Sequence, residues 1–134
     1  MLRPGCLARV VVGLVFLISG LAKMWVPGPF PAAVWRLVPV KAFHPVVVLG
    51  LPVLEVVLGL LLVSGLWQRE VLRLVLVLAC CFVAVRLFAF AGLLENVPCG
   101  CFGSLLEVEE RVGLVLDAAV LGLSWFAAWD RRGC

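Results

Sequence analysis

Apolar residues fill four long stretches of this chain, and the polar positions between them set the elements. After Arg3 and Arg9, Val10 to Val26 is apolar apart from Ser19 and Lys23, which predicts a membrane-crossing helix over about residues 8–26. Lys23 and Trp25 read as interfacial anchors at its far end. A signal-peptide reading, with cleavage near Gly20-Leu21-Ala22, is set aside because the run reaches membrane length. Pro27-Gly28-Pro29-Phe30-Pro31 breaks the helix and opens a loop to His44, and Phe30, Trp35 and Phe43 lay that loop on the membrane surface. Pro45 opens a second span over 46–67, with Glu55 inside and a kink expected at Pro52. Gln68-Arg69-Glu70 is a short connection, so the third span, 71–94, lies antiparallel beside the second. Ser104 followed by Glu107 fits a capping box that starts the last helix, which crosses the membrane over 112–129.

Composition fixes the class. Of 134 residues, 65% are hydrophobic and 14% charged, with a mean hydropathy of +1.23, and no soluble domain of this size buries that much apolar surface. The expected fold is all-α: one integral-membrane four-helix bundle spanning residues 1–134, with the lipid bilayer as its surroundings. The net charge of +3 comes with no basic, aromatic-laced patch for nucleic acid.

Charge sets the orientation instead. Four spans put both termini on one side, together with Arg3, Arg9, Arg69, Arg73, Arg131 and Arg132; Lys23, Arg36, Lys41 and Arg111 fall on the other. Six against four places both termini in the cytoplasm and the segment before the last span outside a cytoplasmic (inner) membrane.

Each span also carries an ionisable residue unsuited to lipid: Lys23, Glu55, Arg86 and Asp117. From a rise of about 1.5 Å per residue they lie about 5, 15, 12 and 8 Å below the outer ends, so all four occupy the outer half. Two cations and two anions at overlapping depths neutralise one another, and the closest pair is expected to be Glu55 with Arg86. They serve either as latches that fix helix packing or as the polar floor of a pocket that holds a quinone head group or steers protons.

Other residues take plainer roles. His44 reads as an interface anchor, Cys80 and Cys81 as small packing residues, and the five tryptophans as an aromatic belt. Gly13, Gly20, Gly59 and Gly65 read as sites of close helix approach.

The segment without a plain role is Pro98-Cys99-Gly100-Cys101-Phe102-Gly103. Two thiols one residue apart sit near the upper distance limit for a disulfide, and the strained ring that closing them makes is easily reduced. A metal site wants four ligands and this loop supplies two, with no histidine or third cysteine beside it, so no metal is expected. The helix that follows favours thiolate through its N-terminal partial charge, and the glycines leave room for a mixed disulfide. Cys99 and Cys101 are therefore the candidate catalytic pair, with Cys101 attacking and Cys99 resolving.

Together, Ser19-Gly20-Leu21-Ala22-Lys23, Pro52-Val53-Leu54-Glu55 with Gly59, Arg86 and the Cys-Gly-Cys-Phe-Gly loop resemble the MauE family, related to DoxX-type four-helix membrane proteins. The resemblance covers essentially the whole chain. It implies a role in methylamine utilisation, in maturing the disulfide-rich small subunit of an exported methylamine dehydrogenase alongside a thioredoxin-fold partner, MauD. The architecture also resembles the DsbB and vitamin K epoxide reductase bundles, although this sequence lacks their Cys-x-x-Cys and second cysteine pair. The function expected is thus thiol–disulfide exchange with a thioredoxin-like partner. The alternatives are a non-enzymatic assembly factor and a DoxX-like subunit of a quinone-linked oxidoreductase, for which quinone is the candidate cofactor.

Overall fold

A computed structural model of the chain describes residues 3–28, 30–92 and 110–130, the side chains of Glu110 and Arg111 excepted. The Cys99/Cys101 pair and the Ser104/Glu107 capping box lie outside the described residues. Helix α1 (Pro4–Trp25) starts with proline in its first turn, where a missing N–H costs nothing. It stops at Val26, which the following Pro27 holds away from helical dihedrals, at φ −134° and ψ 85°.

The segment expected to be a surface loop contains a helix, α2 (Phe30–Leu37). It buries Phe30, Ala33 and Val34, an i, i+3, i+4 stripe, while Trp35 and Arg36 face outward. Five residues of Pro and Gly around it hide that short periodicity in the sequence. A 3-10 turn (Lys41–Phe43) then leads into α3 (His44–Ser64), with Pro45 in its first turn and Pro52 inside.

The second span ends earlier than the hydropathy suggests. Gly65 adopts the left-handed conformation at φ 80° and donates its N–H to Leu61 O, a glycine stop. The connection is therefore Gly65-Leu66-Trp67, and Gln68-Arg69-Glu70 forms the first turn of α4 (Gln68–Phe90). A polar triplet looked like a turn, but a helix N-terminus at the membrane surface is polar too. Helix α5 (Glu110–Trp129) completes the bundle.

Neighbours are α1 with α3, α3 with α4, α4 with α5, and α5 back to α1, an up-down-up-down ring. α1 and α3 touch backbone to backbone: a methyl on Gly59 would lie 2.7 Å from Gly13 O, and one on Gly20 would lie 2.8 Å from Pro52 O. Three of the four glycines read as contact points do that work, while Gly65 serves as a helix stop.

The described helices bury an apolar core of Val12, Phe16, Leu58, Leu62, Val71 and Val75 in the half of the bundle nearest the termini. The outside is equally apolar, with Ile18, Leu49, Val77 and Val115 all more than 60% exposed. Four helices are long and apolar enough to cross a membrane. A 22-residue helix spans about 33 Å, close to the hydrocarbon thickness. The chain is an all-α, multi-pass membrane bundle, with Trp25, Trp67 and Trp129 exposed at helix ends as interfacial anchors.

Candidate functional site

The half of the bundle away from the termini is closed by charge. Lys23 Nζ donates to Glu55 Oε1 at 2.5 Å, and Ser19 Oγ donates to Glu55 Oε2 at 3.3 Å. Arg86 Nε donates to Asp117 Oδ2 at 2.6 Å. All four ionisable residues are buried. The structure thus brings together all four candidates, but the close pairs are Lys23–Glu55 and Arg86–Asp117, not Glu55–Arg86.

Side-chain direction explains that pairing. Side chains lean toward the N-terminus of their own helix. Lys23 sits near the far end of α1, so its stem runs inward, while Glu55 on the antiparallel α3 leans outward to meet it. Depth counted at Cα atoms separates these two residues by about 10 Å, and the lean of both chains together with the length of lysine closes that gap. Counted from the helix ends at Phe90 and Glu110, Arg86 on α4 is about 6 Å deep and Asp117 on α5 about 10 Å, so the same opposition joins them.

Neighbours complete each pair. Lys23 Nζ lies 5.0 Å from the Phe82 ring centroid and 5.4 Å from that of Phe30, so two aromatic faces stabilise a cation held out of water. Gly113 provides the slot for Arg86, because a methyl there would overlap the guanidinium. Sequence reasoning missed Ser19, Phe30, Phe82 and Gly113 as members of the cluster. The available signal was the i, i+4 spacing of Ser19 with Lys23 and of Gly113 with Asp117.

Between the two pairs lies a cavity of about 20 Å³, lined by Ser19, Glu55, Asp117, Phe16 and Phe82 among others. That is room for one water molecule, and its polar walls suit one. A quinone ring is larger than the gap that these residues leave. The chemistry of the cluster is that of two neutralised pairs across one water-sized gap.

The remaining candidates fall elsewhere. His44 is buried: its Nε2 is 2.7 Å from Val38 O and its ring is 4.0 Å from that of Trp35, so it clasps α2 to the start of α3. Cys80 and Cys81 are free and exposed, which puts them toward lipid, not in the packing between helices. Cys6, given no role from sequence, is disulfide-bonded, with its partner outside the described residues.

A family model described as methylamine utilisation protein MauE matches residues 1–130. No curated protein and no solved structure matches the chain.

Proposed function

The chain belongs to the MauE family, and on that footing we propose that it is a membrane thiol–disulfide exchange protein acting as a single domain, with Cys99 and Cys101 as the exchanging pair. Its partner is a thioredoxin-fold protein, and its client is an exported disulfide-containing protein of methylamine utilisation. The methylamine dehydrogenase small subunit is the client that the resemblance implies. What carries the reading is the Cys99-Gly100-Cys101 sequence in the segment joining α4 to α5, the helices that the Arg86–Asp117 pair locks together.

The exchange balances within the two proteins. A thiolate of the partner attacks one sulfur of the Cys99–Cys101 disulfide, the S–S bond breaks and a mixed disulfide forms. The partner's second thiol, losing its proton, then displaces the chain's remaining sulfur. The partner leaves oxidised and Cys99 and Cys101 leave as two thiols, so two electrons and two protons have moved. The reverse sequence reduces the partner. Arg86 and Asp117 tie together the two helices that flank the segment, and Lys23 and Glu55 tie α1 to α3.

The chain sits in this reading in the cytoplasmic membrane with both termini cytoplasmic, supported by the arginine bias, and with the pair in the oxidising compartment. The Cys6 disulfide favours the opposite orientation, because Cys6 lies at the terminal end. A Cys99→Ser/Cys101→Ser variant tests the role: a client that accumulates unmatured supports exchange. Full maturation would leave the chain a non-enzymatic assembly factor.

A further inference from the structure

Arg9 has no explanation in the charge cluster. It lies on α1 in the half of the bundle nearest the termini and is only 9% exposed. Its Nε and Nη1 are buried without a hydrogen-bond partner. A guanidinium out of water and lacking an acceptor is costly, and no carboxylate among the described residues pairs with it.

Its surroundings indicate what it is built for. A methyl placed on Gly65 would lie 3.3 Å from Arg9 Nη1, 3.4 Å from Nη2 and 3.3 Å from Gln68 Nε2, so the arginine fork and the Gln68 amide converge on the turn between α3 and α4. Gln68 also lines a groove of about 540 Å³ between the start of α4 and the end of α5, walled by Arg69, Leu72, Arg73, Ala127 and Asp130. Helix α4 starts there with Trp67 in the left-handed conformation and no side-chain cap, which leaves first-turn amides to be satisfied. The acids nearby do not consume this charge: Glu70 pairs with Arg73 at 3.1 Å, and Asp130 is seated against Gly5.

We propose that Arg9 and Gln68, flanked by Arg69 and Arg73, form a binding site for a phosphate oxyanion, supplied by the head group of an anionic membrane phospholipid. A guanidinium fork takes two phosphate oxygens at once, through Nη2 and one of the two donors that the protein leaves unpaired, Nε or Nη1. Leu66 and Trp67, 59% and 79% exposed beside the site, mark the depth at which acyl chains give way to head groups. A free phosphate has the same oxygens but gains nothing from that apolar rim.

The test uses the full-length protein, delipidated in a neutral detergent and titrated with phosphatidylglycerol, phosphatidylcholine or inorganic phosphate. The melting temperature is read from tryptophan fluorescence, and retained lipid is read by native mass spectrometry. Phosphatidylglycerol is expected to stabilise and remain bound where the other two do not, with binding at least about tenfold weaker in Arg9→Gln and unchanged in Lys41→Gln. Arg9→Lys keeps the charge without the fork, so it too should bind more weakly, and it serves if Arg9→Gln does not fold. Equal response to phosphatidylglycerol and phosphatidylcholine, or undiminished binding in Arg9→Lys and a folded Arg9→Gln, overturns the site. Inorganic phosphate acting as strongly as the lipid, and only with Arg9 present, overturns the lipid as its source.

Discussion

Removing Lys23 tests the pairing inside the bundle. At 2.5 Å from Glu55 its attraction is about 7 kcal/mol at an effective dielectric of about 20, before the cost of taking both groups out of water. Lys23→Met keeps the length of the chain but strands Glu55, which is 0% exposed and keeps only the 3.3 Å bond from Ser19. Stranding a buried charge costs about 3–5 kcal/mol. The loss of the Phe30 and Phe82 contacts adds about 1 kcal/mol. Lys23→Met/Glu55→Leu removes both charges and should recover most of that loss, because a well-packed apolar pair is close to neutral against a buried ion pair. The assay is equilibrium unfolding in mixed micelles with rising dodecyl sulfate. A double-mutant cycle on Lys23 and Glu55 should give a coupling of about 3 kcal/mol, against less than about 1 kcal/mol for Glu55 and Arg86. A larger coupling for Glu55 and Arg86 refutes the pairing.

Other variants probe separate contacts. Gly59→Ala forces a methyl to 2.7 Å from Gly13 O and should destabilise by about 1–3 kcal/mol in the same assay, whereas Gly50→Ala, with nothing within 4 Å, should be close to neutral. Gly113→Ala drives Arg86 from its slot and should cost as much as Arg86→Met, near 3 kcal/mol; a neutral result would mean that the guanidinium does not occupy that slot. In intact cells Cys6 should resist a permeant alkylating agent until a reductant is added, because its sulfur is held in a disulfide; ready labelling without reductant would contradict that bond.

Hydropathy made the four spans legible because a helix in lipid must be apolar around its whole circumference. The ends were less legible: Gly65 stops α3 by its backbone conformation, and the apolar residues Leu66 and Trp67 after it hide that stop. Helix α2 was missed because eight residues between prolines carry too little periodicity. The members of the charge cluster could be named from sequence because ions in a span have few other roles, but their partners could not. Partnering depends on which way Lys23 and Glu55 lean from antiparallel helices, and Cα depth does not encode that direction. Arg9 entered the sequence reading only as one of the basic residues that set orientation, and only the fold of the α3–α4 turn over it shows that it is buried.

The exchange role of the cysteine pair is tested most directly by trapping. Variants retaining Cys99 or Cys101 alone, with the other cysteines replaced by serine, are expressed in cells, quenched in acid and separated without reductant. One of them is expected to carry a mixed disulfide to a thioredoxin-fold protein, released by reductant and identified by mass spectrometry. Both variants running as the unmodified chain, with each retained sulfur open to an impermeant thiol reagent from outside, would contradict the proposed exchange.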